Sequence, residues 1–248
     1  MMRLRTLLIA VTVALSSSAS AQTVPLVADL SNHLVAITTG FTGTDVLLFG
    51  ATDGPGDVVI VVKGPAEDVT VRRKERFGPI WANNDEVKLR DVPAFYRVAS
   101  NRDPEEFTSE RIRQRYQIGL DNLRLTFGDP QLEADTRGEY RDAVIRLNES
   151  RDHYSREVKR VSLLANRLFR TQLHFPANVP TGTYFVEIYL FRNGDVASAE
   201  IVPLSISKIG VGAEIYDFAH NLAPLYGLLA IALAVLAGWG AEAAFRRT

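Results

Sequence analysis

The chain has 248 residues, with 28 Lys+Arg against 29 Asp+Glu and no cysteine. So even a balance excludes a global field that would draw in nucleic acid or an acidic substrate. The missing cysteine excludes disulfide staples, thiolate metal sites and cysteine nucleophiles together, which leaves stability to an ordinary apolar core.

In chain order, the first segment carries Arg3 and Arg5, an apolar run from Leu7 to Leu15, and then Ala19-Ser20-Ala21. A basic head, a short apolar centre and small residues at A-x-A are the pattern of a secretory signal. Residues 1–21 are therefore expected to be removed, leaving Gln22 first.

Residues 22–100 read as a β-sandwich region. His33 to Thr39 alternates, while Val46-Leu-Leu-Phe49 and Val58-Val-Ile-Val-Val62 are short apolar runs suited to strands covered on both faces. Gly50 to Asp57 is a dense turn signal between them, and Val69-Thr-Val-Arg-Arg adds a strand. Trp81, in GPIWANN, is placed in a polar loop.

Residues 101–156 change period. Asp103-Pro104-Glu105-Glu106 supplies a cap, a proline at the first helical position and early acids. Ile112, Tyr116, Leu120 and Leu123 then recur at helical spacing, and Tyr140, Val144 and Leu147 do so after the break at Gly128-Asp129-Pro130. This is read as a helical hairpin inserted between two β regions.

Residues 157–209 return to strand character and either complete the first sandwich or form a second. Phe169, Thr171, Leu173 and Phe175 alternate, Pro180-Thr-Gly182 makes a turn, and Asn193-Gly194 joins two long strands. Tyr184, Val186, Ile188 and Leu190 share one face. The opposite face, with Phe185, Glu187, Tyr189 and Phe191, is aromatic-rich and suggests partial cover by a neighbour, for which the helical hairpin is a candidate.

Residues 210–221 connect to a span over 222–244, with 245–248 as the tail. Leu222 to Gly240 contains no charge and no polar stripe. Tyr226 and Trp239 sit near its ends, where aromatic rings favour membrane interfaces, and Arg246 and Arg247 follow as cytoplasmic positive charge should. The expectation is mainly β with an α insert: an immunoglobulin-like periplasmic sandwich, or two, plus one C-terminal transmembrane helix in the inner membrane.

Four blocks in this order, HLVAITTGFTGTDVLLFGA, VASNRDPEEF, RLFRTQLHFPANVPTGTYFVEIYLFRNG and the final apolar segment, resemble the alphaproteobacterial transmembrane proteins of the Alph_Pro_TM family. The resemblance implies no assigned activity, so it transfers no catalytic residue. It does imply a neighbouring permease similar to sulfite exporters as a partner.

Residues that carry chemistry elsewhere read structurally here. His33, His153, His174 and His220 fall in no metal-binding frame, and no G-x-S-x-G elbow is present. Asp53 and Asp57 bracket a turn without the later glutamate of a calcium loop. Arg72-Arg73-Lys74 with Arg76, and Arg111, Arg113 and Arg115, are basic clusters balanced by nearby acids but able, if folded near one another, to contact anionic lipid headgroups or an anionic ligand. No catalytic residue, metal or cofactor is expected, and the chain is read as a non-enzyme.

The most usable signal is the small-residue stripe Gly227, Ala230, Ala234 and Gly238, which lets helix backbones approach closely in lipid. The expected partners are the lipid bilayer and an integral-membrane protein, or a second copy through the same helix. Nucleic acid is not expected. The alternative reading is a binding or sensing module for a small anionic ligand.

Overall fold

The computed structural model describes residues 25–77, 79–210 and 218–245. The expected signal segment, Arg246 and Arg247 lie outside them.

The strands are β1 (Leu26–Leu30), β2 (Leu34–Ile37), β3 (Gly43–Thr52), β4 (Asp57–Lys63), β5 (Ala66–Phe77), β6 (Ile80–Pro93) and β7 (Tyr96–Ser100), then β8 (Thr126–Phe127), β9 (Lys159–Arg160), β10 (Ser162–Leu164), β11 (Leu168–Pro176), β12 (Gly182–Arg192) and β13 (Asp195–Lys208). Between β7 and β9 come α1 (Pro104–Phe107), α2 (Glu110–Tyr116) and α3 (Ala134–Ser150), and α4 (Ala223–Phe245) closes the chain.

Two sheets face each other. One runs β1-β3-β11-β10 and the other β2-β13-β12-β4-β7-β9, with β2 parallel to β13. In immunoglobulin lettering the first is A-B-E-D and the heart of the second is G-F-C-C′. Each sheet draws strands from both β regions of the sequence, since β11 pairs with β3 and β12 with β4. The two regions therefore build a single sandwich.

Alternation sets which side chains fill it. Tyr184, Val186, Ile188 and Leu190 of β12 are fully buried between the sheets, facing Phe169, Leu173 and Phe175 of β11. In β4, Val58, Ile60 and Val62 enter this core while Val59 and Val61 enter a second one behind the sheet. That double cover is why β4 is an unbroken apolar run. Tyr184 also closes its own corner: its hydroxyl donates to the Pro180 carbonyl at 2.6 Å. A tyrosine bonding back a few residues at the start of strand F is the tyrosine corner of such sandwiches.

The insert covers the outer face of the six-stranded sheet. Ile118, Leu120, Leu123 and Ile145 bury Tyr96, Tyr189 and Phe191, with the Tyr116 ring tilted against Tyr189 and Phe107 edge-on to Phe191. The insert thus covers Tyr189 and Phe191 on the aromatic face of β12, while Phe185 stays exposed. The first helical segment is interrupted, however. Gln117 is left-handed at φ 54° and Gly119 has φ 91°, so Leu120 and Leu123 arrive on a 3-10 turn instead of a continued helix. Tyr96 explains the break: its hydroxyl donates to the Gln117 carbonyl and accepts from the Gly119 N–H. Burial raises the Tyr96 hydroxyl well above the ordinary tyrosine value, which keeps it a donor.

The largest departure from expectation is β5–β6. One short strand and a polar loop were expected, but β5 and β6 make a long ribbon whose ends pair Phe77 with Ile80, and β8 adds a short third strand to β6 at Leu89–Phe127. Trp81 therefore lies in β6, opposite Arg76. The ribbon has its own small core, in which Val71, Val87, Leu89 and Val92 meet Tyr140 and Val144 of α3.

Candidate functional site

α4 is built from residues that no other part of the described protein covers. Over Ala223–Glu242 its mean hydropathy is 1.8 and none of it is buried. Leu228, Ile231, Val235 and Trp239 are all at least 64% exposed. Twenty-three residues make a rod of about 35 Å, enough for a hydrocarbon layer of about 30 Å. A core helix of this composition would be wrapped by protein, and this one is not. At 100° per residue Gly227, Ala230, Ala234 and Gly238 fall within a sector of about 80°. A Cβ added at Gly227 or Gly238 meets nothing within 4 Å. Tyr226, 41% exposed, packs edge-on against Phe218 one turn before the helix.

On the sandwich, the polar residues singled out from the sequence are paired. Arg192 holds Asp53, and Arg102 grips Asp57 with two nitrogens at 2.7 and 2.6 Å. Burial pushes the Asp57 carboxyl up, but hydrogen bonds from Arg102 and Asn101 outweigh it and hold the group below the usual carboxylate value. His33 and His174 contact Asp29 and Asp45, and buried His153 donates from Nε2 to the Asn178 carbonyl. Among the described residues no three His, Cys, Asp or Glu side chains converge as metal ligands. The first basic cluster runs along β5, where Arg72 pairs with Glu86 and Arg73 with Glu139; in the second, on α2, Arg113 pairs with Glu105. A cleft of about 370 Å³ lies between β5 and α3, lined by Glu67, Thr70, Arg72, Asn148, Arg151 and His153 among others.

Sequence reasoning missed one further surface. Val27, Ala51, Leu168 and Leu164 stand directly opposite one another across all four strands of the smaller sheet, on its outer face. Val27 and Leu168 are more than half exposed, and Phe49 extends the row. Such a row depends on register between distant strands, which no local pattern reveals.

Residues 25–247 match a family model described as "Putative transmembrane protein (Alph_Pro_TM)". The chain belongs to the Alph_Pro_TM family. No curated protein and no solved structure matches it. With the fold in hand, the blocks that carry the Alph_Pro_TM likeness have structural tasks. HLVAITTGFTGTDVLLFGA forms β2 and β3, and the long aromatic block forms β11, the tyrosine corner and β12. VASNRDPEEF is a clasp. Asn101 accepts from the Val58 N–H at 2.8 Å, Arg102 reaches Asp57 and lies over the Phe107 ring, and Asp103 caps α1 through the Glu105 N–H. In this Alph_Pro_TM chain the clasp ties the start of β4 to the start of the insert.

Proposed function

We propose that the protein is a non-catalytic accessory subunit, exported by a cleaved signal over residues 1–21 and held in the inner membrane by α4. In this reading the sandwich stands in the periplasm, the C-terminus with Arg246 and Arg247 is cytoplasmic, and the face of Gly227, Ala230, Ala234 and Gly238 packs against an integral-membrane partner. The observation that carries it is an apolar helix left entirely uncovered, with its small residues gathered on one side. The exposed row of Val27, Leu164 and Leu168 supports an interaction role for the exported domain as well. The pairing of Asp53, Asp57, His33 and His174 within the fold supports structural over catalytic use of these groups. The family resemblance makes a transporter similar to sulfite exporters the first partner to seek.

A photo-crosslinking residue at Ala234, in native membranes, is expected to capture a polytopic membrane protein. Leu at Ala230 and Gly238 should abolish that adduct. Adducts with the chain itself would replace the partner by self-association, and adducts with lipid alone would sink the proposal. The cleft between β5 and α3 favours a second reading, a binding module for a small anion with Arg151 at the rim. Under that reading some member of an anion panel raises the melting temperature, and a uniformly flat response removes it.

A further inference from the structure

The β5–β6 ribbon continues the sandwich instead of folding back on it. β4 and β7 pair from Val59–Ser100 to Lys63–Tyr96, and the Gly64 N–H donates to the Phe95 carbonyl at 2.8 Å. The Ala94 N–H donates to the Pro65 carbonyl at 2.8 Å, and Ala66–Pro93 then opens the β5–β6 ladder. Two strands of the six-stranded sheet thus run on past its end.

That end is the one from which the chain leaves for α4. β4 and β13 are both antiparallel to β12, so they run the same way. One passes into the ribbon and the other ends at Lys208, ahead of α4. The two exits are adjacent, since Gly182 pairs with Ile206 and an added Cβ on it would stand 2.9 Å from Pro65.

Lengths then decide. Twelve residues of β5 extend at most about 40 Å at about 3.3 Å each, and less where the ladder shifts register at Glu67/Val69 and Arg72/Lys74. The nine residues from Ile209 to Asp217, before the helical turn at Phe218, reach about 30 Å at most. The helical residues Phe218 to Leu222 add about 7 Å, so with α4 in a bilayer the ribbon meets the bilayer surface when the connector is less than fully extended. Its end has the composition for that encounter. Phe77, Ile80 and Trp81 close the ribbon, Ile80 is 66% exposed, and Lys74 and Arg76 lie beside them, while Arg72 and Arg73 further back are paired with Glu86 and Glu139. Aromatic and aliphatic residues beside basic ones favour the interface of an anionic membrane.

We propose that the end of the β5–β6 ribbon is a second membrane contact, seating Phe77, Ile80 and Trp81 in the interface of an anionic phospholipid bilayer and fixing the height and tilt of the sandwich above it. This rests on the reading that α4 spans the bilayer.

The chain has two tryptophans, Trp81 and Trp239, so Trp239→Phe and Trp81→Phe each leave one reporter in the full-length protein. The probe is a nanodisc of phosphatidylglycerol and phosphatidylcholine carrying bromine near the headgroup end of the acyl chains. With Trp239→Phe, Trp81 should emit at shorter wavelength than in detergent and lose roughly half its intensity to bromolipid. Both effects should fall away in phosphatidylcholine alone. Quenching of Trp239 in Trp81→Phe with Trp81 silent overturns the ribbon contact and leaves the span standing. Silence from both reporters overturns the span as well. Equal quenching of Trp81 without anionic lipid overturns the headgroup assignment, and shielding of Trp81 from acrylamide without bromolipid quenching places the ribbon against protein.

Discussion

Asp57 shows how a single side chain ties the sheet to the insert. It accepts from Arg102 twice and from Asn101 at 3.0 Å, while Asn101 receives the Val58 N–H. Because its folded pKa lies below the unfolded value, the stabilisation it supplies is complete above the ordinary aspartate range. It is lost as pH falls through the lowered folded value. Asp57→Asn is expected to lower stability by about 1–2 kcal/mol at neutral pH, because the charge-assisted bonds are weakened and Arg102 loses the acceptor of its second nitrogen. Urea midpoints measured from neutral to acid pH should converge for the two proteins. A constant gap across that range would show that the charge is not responsible.

At the scale of elements, β11 and β12 were readable because their apolar residues alternate and their turns carry Gly, Pro and Asn-Gly. Strand β3 was readable from its apolar run but is covered on one face only, with Leu47 and Phe49 exposed. Asn193 and Gly194 take φ of 53° and 88°, as a tight hairpin turn demands. The ribbon was not readable, since β5 is strongly charged and its apolar partners come from α3, more than fifty residues on. The break after Tyr116 was equally hidden, because it answers to the hydroxyl of Tyr96 from a distant strand. Close sheet packing does yield a sharp expectation at Gly50. A Cβ there would stand 2.5 Å from the Val27 carbonyl and meet the Phe169 ring. Gly50→Ala should cost about 1–3 kcal/mol through overpacking, read as a lower urea midpoint. An unchanged midpoint would mean that β1 and β3 separate more easily than their pairing implies.

Across the whole molecule, the sandwich and the helix divide the work. β13 ends at Lys208 and the hydropathic window of α4 has no buried part, so the sandwich owes nothing to the helix for its core. A chain of residues 22–210 is therefore expected to fold in solution with the melting temperature of the full protein in detergent. A marked drop, or aggregation, would show that the sandwich depends on a contact with the helix or with lipid.

Composition and order alone determined the cysteine-free core, the β-α-β succession, the apolar C-terminal helix and membership of a transmembrane family. Each of these is a local property: a period, a turn residue or a run of apolar side chains. Only the tertiary structure decided that two β regions interleave into one immunoglobulin-like sandwich, that the helix is left uncovered, and that the ribbon leaves from the same end as the helix. Those facts depend on strand register and direction, set by contacts between residues far apart in the chain, where each local signal admits several pairings.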